Sequence, residues 1–180
     1  MNYSASTSTL CYETPLIHLR QGEYFVSDFR PAVVCAVLGS CVAVTMYSSE
    51  LGIGAVNHGF LPCSVRFRNE NLRHPGHFVD TSTELLLEEM LRSGADRSRL
   101  EVKAFGAASV LCPGYGEEAF RVGSQNEAAV LETLNKLGLK AIRTDLGGER
   151  GRKLVFHPHT GDVWVKKLFP NGNSLEVGHD

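Results

Sequence analysis

Two short apolar runs around a polar turn constrain this chain more than any other feature. Val42-Ala43-Val44-Thr45-Met46-Tyr47 and Gly52-Ile53-Gly54-Ala55-Val56 flank Ser48-Ser49-Glu50-Leu51, the short-range pattern of a β-hairpin. Leu38-Gly39-Ser40-Cys41 leads into the first run, and Asn57-His58 follows the second. Pairing Tyr47 with Gly52 across the turn sets Cys41 opposite His58. Directly opposed residues of an antiparallel pair share a face, with Cβ atoms ~4.5–5.5 Å apart. A thiol and an imidazole at that spacing can hydrogen-bond, and the imidazole favours the nucleophilic thiolate. A slip of one residue turns one of the two side chains to the other face. Local geometry thus nominates Cys41 as nucleophile and His58 as base.

The chain has 180 residues and 43% apolar content, enough to bury one sizeable core, so one domain is expected. Basic and acidic side chains nearly balance, 18 against 20, which argues against a nucleic-acid partner. Arg66-Phe67-Arg68 and Arg150-Gly151-Arg152-Lys153 read as solvated loop charges. Cys11, Cys35, Cys41, Cys63 and Cys112 are widely spaced and contain no CxxC unit. Neither a disulfide framework nor a metal site is expected from them, and Cys41, His58 and Cys63 match no standard zinc spacing. Residues 1–9 carry no basic n-region or apolar h-region. No apolar run nears the ~20 residues of a membrane helix. The expectation is a soluble cytoplasmic protein with free thiols and no membrane insertion.

Along the chain, residues 1–13 are Ser/Thr-rich and expected to be disordered. Short strands are expected at 16–20 and 24–27 around Gln21-Gly22-Glu23, and at 32–38. A long polar loop runs from Leu61-Pro62 to about Gly76. Thr81-x-x-Glu84 has the form of a capping box and starts a helix that Gly94 ends. Residues 100–105 form the next strand, followed by Gly106-Ala107-Ala108-Ser109 and the loop 113–116. Ser124-x-x-Glu127 is a second capping box, opening a helix over 124–137 that Gly138 ends. A strand at 140–144 precedes tight turns at Asp145-Leu146-Gly147-Gly148, and 153–156 with 163–168 form a second hairpin. Residues 170–180 read as a polar tail. Hairpins dominate and only two main helices occur, so the expected class is α+β: one layered domain, 14–169, on a mixed or antiparallel sheet.

Each candidate also has a plain structural reading. A free cysteine is often a small core hydrophobe, a reading that suits Cys35. For Cys41, Gly39-Ser40 favours a tight turn whose backbone N–H groups can face an oxyanion. His58 gains its weight from Cys41, and the two stand or fall together. His157 and His159 read as surface residues of a hairpin turn.

These residues bring a family into view. Leu38-Gly39-Ser40-Cys41-Val42-Ala43-Val44, Gly54-x-x-Asn57-His58-x-x-Leu61-Pro62 and Lys103-x-Phe105-Gly106-x-Ala108 resemble segments of the chemoreceptor glutamine deamidase family CheD. Gly123-x-x-Asn126, Asp145-x-Gly147-Gly148-x-x-Gly151-Arg152-Lys153 and Thr160-Gly161-x-Val163-x-Val165-Lys166 do so too, in the same order. The resemblance implies hydrolysis of receptor glutamine side chains to glutamate and ammonia through a cysteine thioester, without a cofactor. Its nucleophile matches Cys41 and its histidine matches His58. It also implies chemoreceptor cytoplasmic domains as partners, and for some members a CheC-like phosphatase. The family pattern includes a threonine a few residues before the nucleophile, and residues 31–40 contain none. Ser40, Asn57 or a backbone carbonyl is left to orient His58, and the sequence does not choose among them. The same pair would also serve a protease or methylesterase, and a non-catalytic adaptor is the alternative of a different class.

Overall fold

The computed structural model describes residues 14–28, 30–64, 74–109 and 116–169. The expectations for 1–13, 170–180, Arg66–Arg68, Cys11 and Cys112 lie outside them, as do most of the 61–76 and 113–116 loops. Nine strands form among the described residues: β1 (Leu16–His18), β2 (Tyr24–Val26), β3 (Val33–Leu38), β4 (Val42–Ser48), β5 (Ile53–Asn57), β6 (Glu101–Gly106), β7 (Ala141–Leu146), β8 (Arg152–His157) and β9 (Asp162–Lys167). The two main helices are α1 (Val79–Arg92) and α2 (Gly116–Lys136). The class is α+β, as expected.

The strands divide into two mixed sheets, ordered β1-β3-β8-β9 and β2-β5-β4-β6-β7. Val42, Val44 and Met46 of β4 join Leu86, Met90, Val130 and Leu134 of the helices in one core cluster. Ala43 on the opposite face joins Val34, Leu38, Leu154 and Phe156 of the other sheet in a second cluster. β4 is therefore covered on both sides, which explains why its sequence is a continuous apolar run rather than an alternating one. The layers are helices, five-stranded sheet, four-stranded sheet. Burial of Phe105 and Phe156 contributes on the order of 2–3 kcal/mol each.

The hairpin is present, but its register differs from the expected one. Tyr47 pairs with Gly54 and Ser48 with Ile53, because Gly52 belongs to the turn. Gly52 takes a left-handed φ of 63° there, and its N–H donates to the Ser48 carbonyl at 2.9 Å. Val42 bridges Gly59 in the same register. Cys41 and His58 are thus diagonal neighbours, not directly opposed. A shift of two places keeps both on one face, the face toward the second sheet.

Neither capping box forms. α1 begins before Thr81, where the Asp80 carboxylate accepts from the Ser64 and Thr81 N–H groups at 3.0 and 2.7 Å. An acid in the first turn also complements the helix dipole. α2 starts eight residues before Ser124. Gly123 lies within it as a contact, since a Cβ there would sit 2.5 Å from the Ala108 carbonyl oxygen.

Arg152 is not a solvated charge either. Its side chain is 3% exposed and pairs with Asp145 at 2.7 Å, and it donates to the Gly147 and Arg150 carbonyls. The pair holds the Asp145 carboxyl below its ordinary value.

Gly123→Ala separates two effects of opposite sign. Helix propensity alone would stabilise the protein by roughly 1 kcal/mol. Overlap with the Ala108 backbone outweighs it, so calorimetry is expected to give a lower Tm and a loss of about 1–3 kcal/mol. A raised Tm would show that the contact yields freely.

Candidate active site

Cys41 sits where β3 turns into β4, 4% exposed at the end of the core between the sheets. Its backbone is held from three directions. The Ala107 N–H donates to the Cys41 carbonyl at 2.7 Å, and the Ala108 N–H to Gly39 at 2.9 Å. From α2, the fully buried Asn126 donates Nδ2 to the carbonyls of Ser40 at 2.8 Å and Phe60 at 3.1 Å. Only glycine fits position 106, where φ is 110° and a Cβ would lie 2.2 Å from the Cys41 carbonyl oxygen. Ala107 follows at φ 56°, a conformation that costs an L-residue about 1–2 kcal/mol.

His58 follows β5 and is 3% exposed. The preceding Asn57 fixes the strand end. Its Oδ1 accepts from the Val44 N–H at 2.7 Å, and its Nδ2 donates to Ser82 and Thr83 of α1. Residues 19–23 then wrap the histidine. The His58 N–H donates to the Glu23 carbonyl at 3.0 Å, and the Gly22 N–H to the His58 carbonyl at 2.7 Å. The ring Nδ1 lies 3.1 Å from the Leu19 carbonyl. A carbonyl only accepts, so Nδ1 carries the proton and Nε2 keeps its lone pair. That Nε2 is buried without a hydrogen-bond partner.

Of the alternatives for orienting His58, the backbone carbonyl is the one in contact, supplied by Leu19. Asn57 is committed to β4 and α1, and Ser40 gives its carbonyl to Asn126. Sequence reasoning gave Leu19 and Gln21 no part in the site, and it quoted Asn126 in a family-like segment without a role. A polar residue in register with Val130 and Leu134 on the buried face of α2 is the signal that could have exposed Asn126.

The thiol's hydrogen-bond partner is Gln21, whose Nε2 donates to Sγ at 3.2 Å. No hydrogen bond joins Cys41 to His58. Burial pushes the Cys41 thiol up to about 11, against the lowering effect of Gln21 and the Cys41 N–H. Burial also pushes the His58 imidazole below its ordinary value, against the Leu19 carbonyl and the Glu23 charge. Both groups rest neutral at pH 7. Buried Cys35 and half-buried Cys63 remain free thiols. Among the described residues, no three His, Cys, Asp or Glu side chains cluster to hold a metal ion. A cleft of about 800 Å³ lined by Ile17, Phe25, Asp28 and Pro31 contains neither Cys41 nor His58.

Residues 60–167 match the family described as CheD chemotactic sensory transduction. The chain belongs to the CheD family. It is 39% identical over 158 residues to a probable chemoreceptor glutamine deamidase CheD of Maridesulfovibrio salexigens, covering 84% of this chain and 91% of the relative. The protein of the same description from Ralstonia nicotianae is 36% identical over 179 residues, covering 97% and 74%. One from Pyrococcus horikoshii is 33% identical over 147 residues, covering 82% and 89%. None of the described helices is long and apolar enough to cross a membrane.

The arrangement around His58 makes a measurable commitment. Nitrogen-15 NMR of the imidazole at pH 7 is expected to show a neutral ring protonated on Nδ1, titrating below the ordinary 6.5. A folded-state value below the unfolded one means that the neutral ring's contribution to stability is present above pH 6.5 and lost as pH falls below it. An Nε2–H ring, or a midpoint above the ordinary value, would contradict the Leu19 contact.

Proposed function

We propose that this CheD-family chain is a protein-glutamine deamidase acting on chemoreceptors, with Cys41 as nucleophile and His58 as general base and acid. Residues 14–169 form its catalytic domain, and the cytoplasm is its place of work. Its partners are receptor cytoplasmic domains, with a CheC-like phosphatase as a further partner. The observation that carries the assignment is the His58 ring: oriented through Nδ1, its buried Nε2 lone pair is free to take a proton on the face that also carries Cys41.

The neutral resting pair defines the order of events. Cys41 transfers its proton to Nε2 as Sγ attacks the glutamine carboxamide carbon, so attack is base-assisted rather than the work of a preformed ion pair. The imidazolium then gives its proton to the departing ammonia, leaving a thioester. Neutral His58 next draws a proton from water, whose oxygen attacks the thioester and releases glutamate and the thiol. Each turnover adds one negative charge to the receptor.

The buried, high-pKa thiol also suits a second reading, a non-catalytic adaptor that uses the same surface to bind receptors. Ammonia release separates the two. A receptor cytoplasmic fragment incubated with wild-type protein is expected to release ammonia, with receptor peptides gaining the mass of a side-chain amide converted to a carboxylate. Cys41→Ala and His58→Ala are each expected to retain the fold and lose at least about a thousandfold in rate. Release undiminished in Cys41→Ala would remove the thiol from the mechanism. No release by wild type from several receptors would favour the adaptor, and backbone cleavage would favour a protease.

A further inference from the structure

The turn that orients His58 also delivers a second polar group to the reacting sulfur. We propose that Gln21 is a catalytic residue whose side-chain N–H groups stabilise the negative charge carried by the Cys41 sulfur and passed to the substrate carbonyl oxygen during attack. The deamidation reading supplies the substrate here, whereas the contact with sulfur is independent of it.

Two observations carry the inference, a contact and the turn that holds it. Gln21 Nε2 donates directly to Sγ at 3.2 Å, the atom where charge first develops. A neutral thiol is a weak acceptor and a thiolate a strong one, so the contact strengthens as the proton leaves. An interaction that tightens along the reaction accelerates it, whereas one equal throughout does not.

The turn is also built to keep Gln21 in place. The Arg20 N–H donates to the Glu23 carboxylate at 2.8 Å, and the Glu23 N–H to the Arg20 carbonyl at 3.1 Å. Gly22, at φ 82°, packs so tightly on His77 that a Cβ would fall 2.5 Å from the ring. On the other side, a Cβ on Gly76 would fall 2.0 Å from the Gly22 carbonyl oxygen. Gln21 itself is exposed, so its side chain is replaceable without opening the core.

In the step proposed, the Cys41 proton moves to His58 Nε2 and the sulfur–carbon bond forms. The carbonyl π pair passes to oxygen, next to the amide N–H groups of Gln21. When that pair returns, the carbon–nitrogen bond breaks and ammonia leaves with the His58 proton. Removal of one such donor is expected to cost roughly a hundredfold in kcat, with KM little changed.

The test reads Cys41 alone. Alkylation by iodoacetamide, in pulses short against alkaline unfolding, is followed from about pH 8 to about pH 12.5 by mass spectrometry of the Cys41 peptide, in wild type, Gln21→Ala and Gln21→Glu, and the midpoint is fitted to the whole rate–pH profile. His58, Glu23, Arg20 and His77, the titratable groups of and against this turn, are unchanged in both variants. Loss of the donor in Gln21→Ala is expected to raise the midpoint, slowing alkylation at fixed pH by about tenfold. Gln21→Glu keeps the shape but adds a like charge, and its midpoint is expected to rise further. Unchanged midpoints in both variants would overturn the proposal. So would faster alkylation of Gln21→Ala at an unchanged midpoint, which would make Gln21 a mere cover over the thiol. If wild type releases no ammonia from receptors yet both midpoints rise, the sulfur contact is upheld and the deamidase reading fails.

Discussion

The candidate site depends on how one short turn, residues 19–23, closes over the end of β5. Two backbone hydrogen bonds lock the main chain of His58 to this turn, and a third, from Nδ1 to Leu19, fixes the ring. Each contributes about 0.5–1.5 kcal/mol net, but leaving any of these buried groups unpaired costs about 1–3 kcal/mol. The turn therefore behaves as part of the site. A side-chain hydroxyl or carboxylate can orient an imidazole in the same way; here the main chain does it, and the residue type at position 19 matters for packing rather than for its functional group.

The layering explains the electrostatics. With helices on one side of the five-stranded sheet and a second sheet on the other, the mouth of the inter-sheet core is a place of low polarity. A thiol and an imidazole put there both resist charge. Such a pair is poorly set up to rest as an ion pair. The glycine at 106 and the left-handed Ala107 belong to the same logic. They let one backbone pass close enough to another to hold the Cys41 carbonyl, at a cost carried by the surrounding sheet.

Much of this was legible in residue order. All nine strands lie where apolar runs and turn residues put them, and Gly94 and Gly138 each follow a helix at positive φ. The register of the hairpin was missed because Gly52 serves the turn, and sequence alone does not say which of several turn residues turns. The start of α2 was missed because Ser124-x-x-Glu127 has the form of a capping box, whereas the helix runs on through Gly123, a point of close approach. Arg152 alternates in phase with Leu154 and Phe156, so its inward direction was available and was overridden by the charged residues beside it. The Leu19 carbonyl was beyond reach in kind, since every residue has one. Cys41 and His58 still share a face because a shift of two places along a strand preserves it.

The burial of Cys41 also sets what the protein withstands. Peroxides and disulfides react with exposed thiolates, and a protonated sulfur that is 4% exposed offers them little. Half-buried Cys63 is the more open thiol among the described cysteines. Chemical durability of the Cys41 sulfur is thus the counterpart of its reluctance to ionise: the burial that disfavours the thiolate also keeps oxidants away.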